Sequence, residues 1–207
     1  MRTRIDYLAD KYSFTELNES PRLRQQWQDV LEECRQTEAG PEERLRIALL
    51  NVDYVTSFEL PFRLLLTRTP QLIAALREEC GISQKNVVFN DKRFGCVYSL
   101  KASLSGVPDT YRYHLSHRIR RVVGNENTSL PYQQVAREMK APRERLKYAL
   151  EAGLLVSALD GLFWFGSQRI AADVLRLRKA GMPVVATTVE VHDNLTGTTR
   201  KVPAYHL

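Results

Sequence analysis

Six side chains within twelve residues have the types needed to read a nucleic acid. Gln168, Arg169, Ala172, Asp173, Arg176 and Lys179 recur at three- and four-residue spacing, which places them along one side of a helix. Arginine pairs bidentately with guanine, glutamine with adenine, and a small residue lets the backbone approach a groove. Asp173 can accept from a cytosine amine, or hold Arg169 or Arg176 by an ion pair at helical spacing. Further along, Thr196, Thr198, Arg200 and Lys201 are suited to phosphate or minor-groove contact. A charged helix that binds protein, or merely faces water, carries the same residue types.

These side chains must be held by something, and the surrounding sequence supplies the parts in order. Leu146, Ala149 and Leu150 form the inward stripe of a helix over about 143–152, and Gly153 suits a left-handed cap. Leu154–Val156 is a short apolar step. Ser157 caps a second helix with Asp160 at its third position, the pattern of a capping box. Leu159, Leu162 and Phe163 are its buried side. Phe165-Gly166-Ser167 is a turn, and Ser167 is expected to cap a third helix over 168–180 with Ile170, Val174 and Leu177 inward. Gly181 and Pro183 end that helix. VVATTVEV and TTRKVPAYHL then read as two strands around HDNLTG, with Pro203 predicting an edge strand. Helix, strand, helix, helix and hairpin is the order of a winged helix, which can set one helix into the major groove.

Composition narrows the classes. The chain has 207 residues, 43% of them hydrophobic, enough for a packed core. Its opening residues show no apolar leader, and no apolar run approaches the ~18 residues of a membrane span. Cys34, Cys80 and Cys96 are an odd set without paired spacing. They predict reduced thiols in the cytoplasm. No phosphate-binding glycine loop, Ser-His-Asp set or carboxylate cluster is evident. The expectation is a protein that is not an enzyme, with no cofactor, no metal and no membrane partner.

The net charge of +6 is unevenly spread. Residues 1–109 hold 15 basic and 16 acidic side chains, whereas residues 110–147 hold nine basic and three acidic. Arg118, Arg120 and Arg121 in that stretch are candidate phosphate contacts, since backbone neutralisation supplies most non-specific affinity. The alternative is a solvated helix face. His114 and His117 lie three apart, but no third ligand stands near them, so a polar helix face is the better account. Residues 128–155 also read as helix, turn at Lys140-Ala141-Pro142, and helix. A second helix-turn-helix there would turn Arg143, Arg145 and Lys147 toward DNA. A scaffold role for 143–152 is preferred, because the downstream parts are complete.

The first hundred residues are expected to be helical and then β. Leu23, Trp27, Val30, Leu31 and Cys34 make a stripe over 22–35. Pro41-Glu42-Glu43 opens a helix predicted to run to about Val55. Residues 70–80 form a helix stopped by Gly81, and strands are predicted near 87–89 and 94–100. Helix followed by hairpin raises a second winged helix, although no turn-and-second-helix pattern precedes it. Residues 103–110 are the linker, and Pro131 is expected to open a helix over YQQVAREM.

The C-terminal third resembles the small helix-turn-helix domain of bacteriophage and prophage DNA-binding proteins. Those domains show T/S-A-L-D-A in the second helix, R-I/L in the third, L-R-x-A-G-x-P-I at its exit and R-V-x-x-Y-x-L at the end. This chain has Ser157-Ala158-Leu159-Asp160-Gly161, Arg169-Ile170, Leu177-Arg178-Lys179-Ala180-Gly181-Met182-Pro183-Val184, and Arg200 to Leu207. It departs at Gly161 and at the bulky Trp164. The resemblance implies double-stranded DNA binding and a mobile-element origin.

The expected fold is therefore mainly α with small β-hairpins, an α+β chain. It divides into a helical domain with a hairpin (1–104), a basic helical segment or second helix-turn-helix (105–141) and a winged helix-turn-helix (142–207). The expected function is transcriptional regulation through duplex DNA, with a homodimer as a compatible state. The rival is a protein-interaction module, an inhibitor or adaptor that grips a host protein through the winged helix.

Overall fold

The computed structural model describes residues 20–57, 59–89, 92–101, 103–105, 126–167, 169–193 and 195–207. These hold eight α-helices and two three-stranded antiparallel sheets, a mixed α and β chain. Packing divides the residues into two compact units, with those up to 105 in the first and those from 126 on in the second. Arg118, Arg120, Arg121, His114 and His117 lie outside the described residues, as does Gln168.

In the first unit, α1 (Pro21–Gln36) begins where the Ser20 hydroxyl accepts from the Leu23 N–H. Its stripe of Leu23, Trp27, Val30 and Cys34 is buried. Helix α2 (Pro41–Asn51) opens on proline with Glu42 and Glu43 in its first turn, where acids meet the positive helix end. It stops at Asn51, short of the expected Val55, because Val52 is extended and Val55–Thr56 form strand β1. One turn of helix, α3 (Leu60–Arg63), leads to α4 (Thr69–Cys80), which ends at Gly81 in the left-handed region. The hairpin is longer than expected: β2 is Ser83–Phe89 and β3 is Lys92–Ser99, and the sheet order is β1-β3-β2.

The second unit starts earlier than the expected boundary at 142. Helix α5 (Glu126–Glu138) contains Pro131 in its interior and does not begin there. It packs onto the elements that follow. The Tyr132 hydroxyl donates to the Leu155 carbonyl at 2.7 Å, and the Tyr132 ring lies 6.3 Å from that of Phe165. Helix α6 (Pro142–Glu151) and β4 (Val156–Ser157) come next. The Ser157–Asp160 capping box forms as the sequence implies, opening α7 (Ala158–Asp160). The chain then widens into a π-helical turn over Gly161–Phe165 that closes at Gly166, φ 78°. Helix α8 (Ile170–Lys179) and the strands β5 (Val185–Asp193) and β6 (Thr198–His206) complete the unit. Leu146, Leu150, Leu159, Phe163, Ile170, Val174 and Leu177 are all buried.

Pro203 does not mark an edge. The sheet order is β4-β6-β5, so β6 is the central strand. β4 reaches only Ala204 and Tyr205. On that flank Pro203 lies beyond its end, with no ladder bond for the missing N–H to break.

The two units repeat one plan. Each runs helix, helix, short strand, short helix, helix, hairpin, with its first short strand on the last. From α2 to α4, adding 101 to a residue number gives its counterpart in the second unit. Arg44 and Arg145 are both buried and bond the same way. Arg44 Nε donates to the Ala39 carbonyl at 2.7 Å and Nη1 to that of Leu64 at 3.1 Å. Arg145 Nε donates to Met139 at 2.8 Å and Nη1 to Phe165 at 3.1 Å. Thr56 and Glu59 exchange hydrogen bonds as Ser157 and Asp160 do. Val55 pairs with Tyr98, and Val156 with Tyr205. Leu65 has φ 51° where Gly166 stands in the second unit, a conformation that leucine adopts at a cost.

Candidate nucleic-acid interface

Helix α8 presents a polar side because its buried stripe is narrow. Ile170, Val174 and Leu177 face the core, leaving Ala171, Ala172, Leu175, Arg176, Arg178 and Lys179 exposed. Packing of Ile170 against Gly161 fixes where the helix begins. A Cβ on Gly161 would lie 2.6 Å from Ile170 Cδ1 and 3.1 Å from its Cβ. The departure at 161 thus has a packing reason: only glycine lets the π-helical turn and α8 approach this closely.

Arg169 is not in the first turn. It is the N-cap of α8, with φ −132° and ψ 49°, and is exposed. Its carbonyl accepts the first helical bond, from Ala172 N–H at 2.8 Å. Ser167 does not cap the helix. Its hydroxyl donates instead to Asp173 Oδ2 at 2.8 Å.

Asp173 is the hub of the site, and its partners differ from those spacing suggested. Its Oδ1 lies 3.7 Å from Arg176 and 3.7 Å from Arg143 on α6. No ion pair joins it to Arg169 among the described residues, because the Arg169 backbone is not helical and so lies outside the geometry that an i, i+4 pair needs. Arg143 and Arg176 keep half or more of their side chains in solvent, whereas Asp173 is mostly covered. Ion pairs this long are weak, so both guanidinium groups can turn to another anion while Ser167 keeps the carboxylate in place.

Helix α6 therefore adds to the face, which reading α8 alone missed. Arg143 and Lys147 lie one turn apart, and Lys147 is exposed beside Glu151. Nothing in local spacing joins Arg143 to Asp173, thirty positions away. Arg145, grouped with them under the overlapping helix-turn-helix, is buried against two carbonyls and is not available to DNA. Arg178 is exposed, and its Nε bonds the Val184 carbonyl at 2.8 Å.

The hairpin residues separate into brace and surface. Arg200 is only 15% exposed and is 3.1 Å from the buried Asp193 carboxylate. Asp193 also accepts from the Leu195 and Gly197 N–H groups. Arg200 is thus spent on the turn and does not stand free for phosphate. Thr198 shares a 2.8 Å hydrogen bond with Thr196. Lys201 is well exposed, 4.0 Å from Glu190. No cluster of metal-binding side chains occurs among the described residues, and no described helix is long and apolar enough to cross a membrane.

Comparison with protein-family models, with curated proteins and with solved structures finds no match to this chain.

Proposed function

We propose that the chain is a double-stranded DNA-binding protein of a bacteriophage or mobile element, acting as a transcriptional regulator in the bacterial cytoplasm. Residues 142–207 are read as a winged helix-turn-helix with α8 as its recognition helix. The observation that carries this reading is the joint exposed face of α8 and α6. Arg169, Arg176, Lys179, Arg143 and Lys147 supply positive charge, and the acid between them, Asp173, is already engaged by Ser167 and two arginines. Such a surface suits phosphate backbones, with the start of α8 nearest the bases.

The test is binding selection on randomised duplex. Arg169→Ala is expected to cost about 1–3 kcal/mol on the selected site and to relax preference at one base pair. Gln168→Ala should do the same more weakly, and Arg176→Ala should lower affinity without changing the preferred base. An Arg169→Ala protein with unaltered motif and affinity refutes the assignment of α8 as the reading helix.

A second reading, the protein-interaction module, has one observation in its favour. Leu175 is 53% exposed on the same helix, and an exposed apolar side chain can anchor a protein partner. Leu175→Ser should leave duplex affinity unchanged under the DNA reading, and should abolish capture of a protein partner under this one.

A further inference from the structure

The shared plan of the two units makes their surfaces comparable position by position, and at the candidate interface the charges differ. Arg143 corresponds to Glu42, Asp173 to Leu72, Arg176 to Ala75 and Lys179 to Glu78. Glu42, Ala75 and Glu78 are exposed, as their counterparts are. Arg68, the counterpart of Arg169, keeps the positive charge and the position before the helix, and Arg46 and Arg77 keep the charge of Lys147 and Arg178.

What remains of the first unit's charge is already balanced. Arg46, the counterpart of Lys147, lies 3.1 Å from Glu42 and 2.5 Å from Glu79. These two carboxylates hold its guanidinium even more firmly charged than usual. The triad as a whole is negative. At the corresponding positions, the second unit has Arg143, Lys147 and the uncharged Ala180. A surface with a net negative triad, beside a helix end where Arg77 offsets Glu78, attracts a phosphate backbone less than its net positive counterpart does.

We infer that the chain is an internal duplication of one scaffold, that its duplex-binding face exists in the second unit alone, and that Arg143, Arg176 and Lys179 create it. This rests on the DNA reading given above. It adds a division of labour: the first unit keeps the buried arginine, the capping pair and the sheet register, and lacks the side chains that would hold phosphate.

The experiment uses the full chain and a random-sequence duplex, with anisotropy measured from low to moderate salt. One variant reverses the second unit (Arg143→Glu, Arg176→Ala, Lys179→Glu). A second reverses the remaining first-unit charge (Arg68→Glu). A third transplants the face (Glu42→Arg, Ala75→Arg, Glu78→Lys). All the substituted side chains are exposed, and thermal melts check folding. The first variant should lower the slope of log affinity against log salt by up to about 2.7, at about 0.9 for each phosphate no longer neutralised. The second should stay within twofold of the unaltered chain. The third should raise the slope by up to about 2.7 on the same basis and tighten binding at least tenfold. Equal losses from the first and second variants overturn the division of labour and leave the DNA reading standing. A transplant with no gain shows that these positions do not create the face, and overturns that part. An unaltered chain with no salt-dependent affinity overturns the DNA reading and this inference together.

Discussion

Replacing Arg145 by methionine should destabilise the second unit by about 3 kcal/mol. The side chain is 7% exposed and spans the unit's interior from α6 to two carbonyls, those of Met139 and Phe165. The Phe165 carbonyl ends the π-helical turn and the Met139 carbonyl follows the last residue of α5, so one guanidinium fastens three helical segments. Each hydrogen bond from a charged donor is worth about 1.5–3 kcal/mol net, and a buried acceptor left unpaired costs about 1–3 kcal/mol. Methionine fills much of the volume and removes the cost of burying a charge, which offsets part of the loss. For a unit of this size, about 3 kcal/mol is a fall in Tm on the order of 15 °C.

The assay is urea unfolding followed by tryptophan fluorescence in a Trp27→Phe background. The chain has two tryptophans, so Trp164, buried in the second unit, is then the sole reporter. The midpoint should drop with the m-value unchanged. Lys147→Met, two positions away and exposed, should change stability by less than about 0.5 kcal/mol. Arg44→Met, read through Trp27 in a Trp164→Phe background, should repeat the Arg145 result in the first unit. If Arg145→Met stays within about 0.5 kcal/mol of its parent, the buried arginine is not a fastener, and its bonds to the two carbonyls do not hold the unit together.

Gly161→Ala should cost about 1–3 kcal/mol by overpacking against Ile170. Ile170→Val in the same chain removes the atom at 2.6 Å and should recover part of the loss; strictly additive costs in the double mutant would show that the contact is not the cause. Asp53 links Arg22 of α1 to Lys101 beyond β3, and the Lys101 ammonium, more than burial opposes, holds its carboxyl below the usual value near 3.8. A depressed folded-state pKa means stabilisation that is complete above the unfolded value and lost as pH falls through the folded one. Asp53→Asn should therefore lower first-unit stability at pH 7, and its gap from the unaltered chain should begin to close only below about 3.8. A gap that is the same at pH 7 and pH 2 would refute this.

Much of the second unit was legible because its signals are local. The Ser157–Asp160 box, the left-handed Gly153 and Gly166 and the Ile170, Val174, Leu177 stripe each act within a turn or two of chain. The first unit was harder to read for equally physical reasons. Its third helix is one turn, Leu60–Arg63, with Pro61 in that turn, too short to show periodicity. Its tight turn places Leu65 at positive φ, where glycine would have announced it. The repeat was present in the sequence as Pro41-Glu42-Glu43-Arg44-Leu45 and Pro142-Arg143-Glu144-Arg145-Leu146, but amphipathic reading assigns arginines to the surface, and both of these are buried. Arg200 misled in the same way. A basic residue near a hairpin tip suggests phosphate contact, while its partner Asp193 becomes its neighbour only once the strands pair.

These errors share a cause. Sequence spacing states which side chains can lie together on one element, and it is silent on which element another packs against. Asp173 was legible as a partner of Arg176, three residues on, and not of Arg143, which reaches it across the α6–α8 packing. The consequence for the candidate site is direct. Substituting Asp173 disturbs two helices and the Ser167 turn at once, so loss of binding in Asp173→Ala alone would say little about base contact. Ser167→Ala supplies the separation. It frees the carboxylate while leaving every positive charge in place, so a change in base preference with an unaltered salt slope would assign Asp173 a positioning role. A change in slope alone would assign it to the balance of charge on the face.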